Sequence, residues 1–277
     1  MYDYGFIGYG SMGSMLVKRL IQQSNVSQNS IMITRKNKER LAEIKNEWPE
    51  IHITQDLKEL VINSKQIFIC VKPSEFYEVL NEIKTHILVD QHIISIAGAI
   101  LLSDIQNLIP CKITKIIPTV ISEVNNGITL ICHNSLISEE EAKQFEATLN
   151  NFTKIRRTPE EYFGFVTEFT SCGPGLFAEM LQEFVEAGYR YSNSIPKEEI
   201  VTLVTETVLG TVRLMLENSM DFSEVITRVA TKGGITEEGV KVMKAGFPKI
   251  FDEVFEHSMS KRKLVDTNLH MQFLVDK

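Results

Sequence analysis

Tyr4-Gly5-Phe6-Ile7-Gly8-Tyr9-Gly10-Ser11-Met12-Gly13, at the start of the chain, is the stretch whose reading decides the fold. Tyr4–Ile7 reads as a strand, and Ser11–Gln22 as a helix with Met12, Leu16 and Leu20 on one face. Between them lies a complete G-x-G-x-x-G. A lone match is weak evidence, but one that follows a strand and opens a helix stands where a dinucleotide-binding turn belongs. Gly8 permits the tight turn, Gly10 lets a pyrophosphate approach the backbone, and Gly13 lets helix and strand pack closely. The helix start adds N–H groups and a positive dipole end. Gly8, Tyr9, Gly10, Ser11, Met12 and Gly13 are therefore the first candidate cofactor-binding residues.

Outward from this turn, short apolar runs alternate with amphipathic stretches. Ile31–Ile33, Gln66–Val71, His92–Ala97 and Lys115–Ile117 read as strands; Asn37–Asn46, Pro73–Lys84 and Leu102–Leu108 read as helices. Gln66–Val71 is apolar nearly throughout, as expected when both faces of a parallel sheet are covered. Such alternation predicts a doubly wound α/β sheet, the Rossmann architecture, over residues 1–154. From residue 155 to 277 strand-like runs give way to helical periodicity over Pro159–Tyr189, Pro196–Glu217, Phe222–Val229 and Glu237–Lys261. Pro159 and Pro196 are expected in first turns, capped by Thr158 and Ile195. Thr267–Lys277 is expected to fray.

A length of 277 residues accommodates two domains at about 100–200 residues each. The net charge of −7 argues against broad nucleic-acid binding, which needs excess cations. No apolar run approaches the roughly 20 residues of a membrane span, and the N-terminus lacks the pattern of a secretory signal. Cys70, Cys111, Cys132 and Cys172 lie far apart without metal-ligand spacing, so a reduced, cytoplasmic protein without a metal is expected.

The end of the second strand selects the cofactor. Ile33 is followed by Thr34-Arg35-Lys36, with no acid for a ribose 2′-hydroxyl. A hydroxyl and two cations suit a 2′-phosphate, so NADPH is favoured over NADH; the bland alternative is a solvated basic turn. Val71-Lys72-Pro73 and the small pair Ala97-Gly98 also end strands, where a switch-point crevice binds its ligand; without the glycine motif, plain strand-to-helix punctuation would be the better reading.

These residues resemble the pyrroline-5-carboxylate reductase family over nearly the whole chain. The resemblance rests on Gly8–Gly13, Cys70–Pro73, Ser95–Ile100, Ile116–Pro118 leading to Asn126-Gly127, Ser171–Gly175, Ala230–Thr236 and Ala245–Phe247. It is greatest to the divergent late-competence branch. It implies a Rossmann domain followed by an all-α dimerisation domain, and NAD(P)H-dependent reduction of a cyclic imine carboxylate in proline synthesis. It also implies a homodimer through the C-terminal helices, with the active site facing the partner's helices. The partners it implies are thus a small carboxylate substrate and a second copy; nucleic acid and membrane are not among them. Thr236 aligns with the family's threonine, held to hydrogen-bond the imine nitrogen; its alternative role is a helix cap, with Gly239 offering no capping-box partner. Pro118, Thr119, Lys232, Gly233, Gly234 and Ile235 are the candidate substrate-binding residues, the Gly233-Gly234 turn offering N–H groups to a carboxylate.

Two departures bear on substrate choice. The family's M-P-N-T-P is Ile117-Pro118-Thr119-Val120-Ile121, so an amide becomes a shorter hydroxyl. S-P-G-G becomes Lys232-Gly233-Gly234, placing a cation, or merely a surface charge, beside the turn. Ser171–Gly175 interrupts a helical stretch, as a site opening or as a simple turn between helices. Alternatives are a reductase of another imine or keto acid, or an NADP-binding paralogue with a regulatory role in competence. A β-hydroxyacid dehydrogenase is disfavoured, because Phe177–Met180 holds Glu179 where that family has a lysine.

Overall fold

A computed structural model describes residues 1–36 and 39–274. Its first elements run β1 (Tyr2–Ile7), α1 (Ser11–Gln23), β2 (Ile31–Thr34), α2 (Glu39–Glu47), β3 (His52–Thr54), α3 (Leu57–Asn63), β4 (Ser64–Ile69), α4 (Pro73–Ile83) and β5 (His92–Ser95). They continue with α5 (Leu102–Leu108), β6 (Lys112–Ile117), β7 (Ile128–His133), α6 (Glu139–Leu149) and β8 (Lys154–Arg157). The strands form one sheet in the order β3-β2-β1-β4-β5-β6-β7-β8, parallel except between β6 and β7. The order reverses at β1 and β4, so the β1–α1 turn opens at the switch point of a doubly wound sheet.

The strands at the centre are apolar on both faces because both faces are covered. Phe6, Phe68, Ile94 and Ile116 are buried with Leu16 and Leu20 of α1 and Phe145 of α6. Ile67, Ile69, Ile93 and Ile113 point the other way, into Leu80, Ile105 and Leu269. Phe6 and Phe68 stack at 4.6 Å between ring centroids, joining the two strands that flank the switch point.

The helical elements are α7 (Phe163–Thr170), α8 (Gly173–Tyr191), α9 (Lys197–Asn218), α10 (Phe222–Val229) and α11 (Ile235–Leu274). Two compact units emerge: Met1–Pro174 with Met259 onward, and Gly175–Ser258. The change of character expected after residue 154 coincides with a strand, since Lys154–Arg157 pairs in parallel with β7. Among the described residues, α9 has none that is buried.

Several expectations are corrected. Elements β3, α3, β7, α6 and β8 were absent from the sequence reading. Pro159 and Pro196 are N-caps with extended backbone rather than first-turn residues, so Thr158 and Ile195 are not the caps. The Ser171–Gly175 interruption is a turn between two helices: α7 ends at Thr170 and α8 starts at Gly173. Pro174 then sits in a first turn, where its missing N–H costs nothing. The helix expected to stop near Lys261 runs to Leu274, taking in most of the segment expected to fray, while 275–277 lie outside the described residues. The start of the second helix at Asn37 also lies outside them.

Candidate functional site

The chain leaves β1 still tied to both neighbouring strands. Gly8 donates its N–H to the Thr34 carbonyl at 2.9 Å, and Cys70 N donates to the Ile7 carbonyl at 2.8 Å. Gly8 has φ +96°, and a Cβ there would stand 2.7 Å from the Cys70 carbonyl oxygen. Only glycine meets both demands. A Cβ on Gly13 would stand 2.6 Å from the Gly8 oxygen, so the first turn of α1 rests directly on the glycine turn. Gly10 is different: among the described residues nothing lies within 4 Å of the place its Cβ would take. It N-caps α1 without a side-chain hydrogen bond, and the first turn carries no acid. The helix therefore presents its leading N–H groups toward open space, which is the environment a pyrophosphate needs. The residues present fit a dinucleotide.

A cavity of about 380 Å³ lies over this turn, lined by Tyr9, Gly10, Ser11 and Arg35, with Glu43 and Glu47 of α2 opposite. Arg35 is half-buried and lines the same hollow as Gly10. Lys36 is exposed and pairs with Glu78 at 3.9 Å, a surface contact of little energetic weight. Thr34 is buried and gives the turn its carbonyl, so its expected hydroxyl contact with a ligand has no open path. The acids Glu43 and Glu47 were missed in the sequence; their i,i+4 spacing on α2 is the signal that both face one way. Burial pushes the Tyr9 phenol above its usual range, with the Glu47 charge adding to it, so Tyr9 stays a neutral donor.

Along the same sheet edge, Val71 packs against Gly8, Lys72 N-caps α4, and Pro73 is its first helical residue. Ala97 is buried and donates its N–H to Ser95 Oγ at 3.2 Å. Gly98 lies close under Ile117, whose Cδ1 would be 3.2 Å from an added Cβ. Gly98 opens onto a second cavity, about 460 Å³, walled by Lys115, Glu160 and Arg262. Thus Gly10 and Arg35 line one hollow and Gly98 another.

Pro118 and Thr119 follow β6, both buried. The Thr119 hydroxyl accepts from Ile121 N at 3.5 Å and caps the turn Val120–Val124, while its methyl fills the place a Cβ on Gly127 would need. At 1% exposure it is spent on the backbone rather than offered to a ligand. Ser171 ties the α7–α8 turn to this loop by donating its hydroxyl to the Pro118 carbonyl at 2.9 Å. The adjacent Cys172 is no nucleophile: burial raises its thiol, and the neighbouring Glu168 raises it further. Burial likewise lifts Cys70, and takes Cys111 and Cys132 to about 12. Among the described residues no group of three or more His, Cys, Asp and Glu could hold a metal.

In the second unit, Gly233 has φ +76° and Gly234 donates its N–H to the Thr231 carbonyl at 2.9 Å. Helix α11 begins at Ile235, making Thr236 its second residue and exposed, not the cap. Ile235 and Lys232 are exposed beside it. The sequence offered no acid partner at Gly239, yet one exists: Glu237 Oε2 accepts the Gly233 N–H at 2.7 Å. Lys241 Nζ stands 3.8 Å from the same carboxylate oxygen.

The chain is 32% identical over 98% of its length to pyrroline-5-carboxylate reductase 3 of Bacillus subtilis, all of which is covered. It belongs to the pyrroline-5-carboxylate reductase family. The ComE operon protein 4 of the same organism is 25% identical over 93% of the chain and 94% of that protein. Residues 160–264 match the family model described as pyrroline-5-carboxylate reductase dimerisation. Residues 3–98 match the model described as NADP oxidoreductase, coenzyme F420-dependent. A Plasmodium falciparum pyrroline carboxylate reductase, solved with NADP bound, has the same fold: TM-score 0.85 at 22% identity, covering 96% of this chain and 98% of that one. As a pyrroline-5-carboxylate reductase family member, the chain is an NAD(P)H-dependent oxidoreductase whose glycine turn lies within the NADP-oxidoreductase match. Its dimerisation region includes all of α9, the helix with no buried residue. No described helix is long and apolar enough to cross a membrane.

Proposed function

We propose that this chain reduces 1-pyrroline-5-carboxylate to L-proline in the cytoplasm, with NADPH preferred over NADH, as a homodimer through its C-terminal helices. The observation that carries the reading is the open, uncapped glycine turn at Gly10 with Arg35 on the same hollow.

When bound, the reduced nicotinamide supplies a hydride to the imine carbon. Reduction of the C=N bond also requires one proton at nitrogen, drawn from solvent, to give the secondary amine. Backbone groups from Gly8 to Gly13 hold the pyrophosphate. Arg35, supported by Lys36, neutralises the 2′-phosphate, each charge-assisted bond being worth about 1.5–3 kcal/mol. The small residues Ala97 and Gly98 leave room for the flat ring, with Val71, Lys72 and Pro73 along the same edge. In the second unit, Gly233, Gly234 and Lys232 take the substrate carboxylate, flanked by Ile235. The Thr236 hydroxyl orients the imine nitrogen, while Pro118 and Thr119 act through the shape of their loop. Uncatalysed approach is slow mainly for want of orientation, and orientation is what these groups supply.

The buried Thr119 and the carboxylate already on Gly233 favour a second reading, a catalytically drifted NADP-binding paralogue with a regulatory role. NADPH oxidation measured with pyrroline-5-carboxylate, beside a titration of NADPH alone, separates the two. Turnover with ordinary saturation is expected; binding without turnover selects the regulatory reading. Thr236→Ala is expected to lower kcat about tenfold with NADPH affinity intact, and unchanged kcat would leave Thr236 a helix-start residue only.

A further inference from the structure

Lys115 projects from β6 on the same face as Ile113 and is 1% exposed. Its Nζ lies 2.9 Å from Glu160 Oε1 and 5.4 Å from the centre of the Phe163 ring. The same Oε1 accepts the Leu102 N–H at 2.8 Å. Leu102 is the first residue of α5, immediately after the loop Ala97–Leu101. Among the described residues the other hydrogen bonds of that loop are local: Ala97 N to Ser95 Oγ, Ile100 N to the Ala97 carbonyl, and Leu101 N to Asp104 Oδ2. Glu160 reaches it from 58 residues away.

A pair of a buried ammonium and a half-buried carboxylate is a poor source of stability, because the desolvation it demands offsets the attraction, and apolar replacements often serve as well. The Lys115–Glu160 pair is better explained by what it holds. One carboxylate oxygen is fixed between an ammonium and a backbone N–H, and the segment entering the helical region is thereby pinned to the loop beside Gly98.

We propose that Glu160, held by Lys115, is a positioning residue that sets the Ala97–Leu101 loop as the rigid wall behind the nicotinamide. This rests on the reading of Ala97 and Gly98 given above. A wall displaced by a fraction of an ångström lengthens the hydride path without emptying the cofactor site, so the loss falls on the chemical step.

Two variants test it. Lys115→Met with Glu160→Leu replaces the pair by apolar groups; Glu160→Gln keeps an acceptor for Leu102 N–H. The double variant is expected to unfold within a few degrees of the parent, with NADPH affinity nearly unchanged. Its kcat should fall about tenfold or more, with a larger deuterium isotope effect from labelled NADPH. Glu160→Gln should recover most of the kcat. Independently of turnover, hydrogen exchange at residues 98–102 should quicken in the double variant, with and without NADPH, and stay near the parent rate in Glu160→Gln. Unchanged exchange in the double variant overturns the proposal, as does a wild-type kcat and isotope effect in an enzyme that turns over. If the parent binds NADPH and reduces no imine, the proposed reaction fails on its own, and the exchange rates still decide the role of Glu160.

Discussion

Two helix starts, α1 and α11, carry glycine turns that read alike and are equipped in opposite ways. The start of α1 has no acid in its first turn and no side-chain cap. The start of α11 has Glu237 and Glu238 in its first turn, and Glu237 already holds the Gly233 N–H. Both ends carry the same partial positive charge. One is left open, as a diphosphate would need; the other is closed by a carboxylate of its own, which the substrate carboxylate of the proposed reaction would have to displace. Helix-end anion sites thus differ less in their backbone than in whether the chain supplies its own counter-ion.

The contrast breaks most visibly at Gly10. Gly10→Val places a branched side chain where the phosphates approach and is expected to weaken NADPH about a hundredfold or more, with the fold intact by circular dichroism. Retained affinity would refute the turn as the phosphate site. Next is Arg35→Glu, expected to cost about ten- to a hundredfold in NADPH affinity with NADH much less affected, from the loss of one or more charge-assisted bonds. Equal losses for both cofactors would remove the 2′-phosphate from Arg35. Glu237→Gln sharpens the other side of the contrast. Removing the resident charge should lower KM for the imine carboxylate about three- to tenfold at constant kcat, and an unchanged KM would show the Gly233 N–H to be irrelevant to substrate.

The smallest effect concerns the opposite end of the sheet, at the start of β5. Burial, aided by the charge on His133, pushes His92 down from 6.5 to about 3. The folded state then refuses a proton that the unfolded chain accepts below 6.5, so stability is lost as pH falls from 6.5 toward 3. Glu141, held at about 2 chiefly by Lys112, adds to the loss only below its usual 4.5. Thermal midpoints should therefore fall between pH 6.5 and 4.5, and His92→Gln should flatten that part of the profile. A slope unchanged by the substitution would place the proton elsewhere.

Much of the first unit was legible because its central strands are buried on both faces, which leaves unbroken apolar runs such as Ile67–Ile69. His52–Thr54 is three residues long, too short for any period to register. Helix α6 did carry a signal: Ser138 and Glu141 form a reciprocal capping box, an S-x-x-E spacing visible in the sequence. The glycine turn was legible because its demands are local, a positive φ at Gly8 and a close approach at Gly13. The link between Lys115 and Glu160 was not, since their 45-residue separation leaves no pattern to read. Nor was Glu237, which in sequence resembles any first-turn acid, nor the inward turn of Thr119, which depends on Gly127 eight residues on.

Helix α9 makes one further demand. A 22-residue helix with no fully buried side chain, only half-buried ones such as Ile200, Val204 and Leu214, draws little hydrophobic stabilisation from folding alone. Its order must be borrowed from another molecule, which makes ordering of this segment a second-order process: melting should shift upward as the protein is concentrated and downward on dilution.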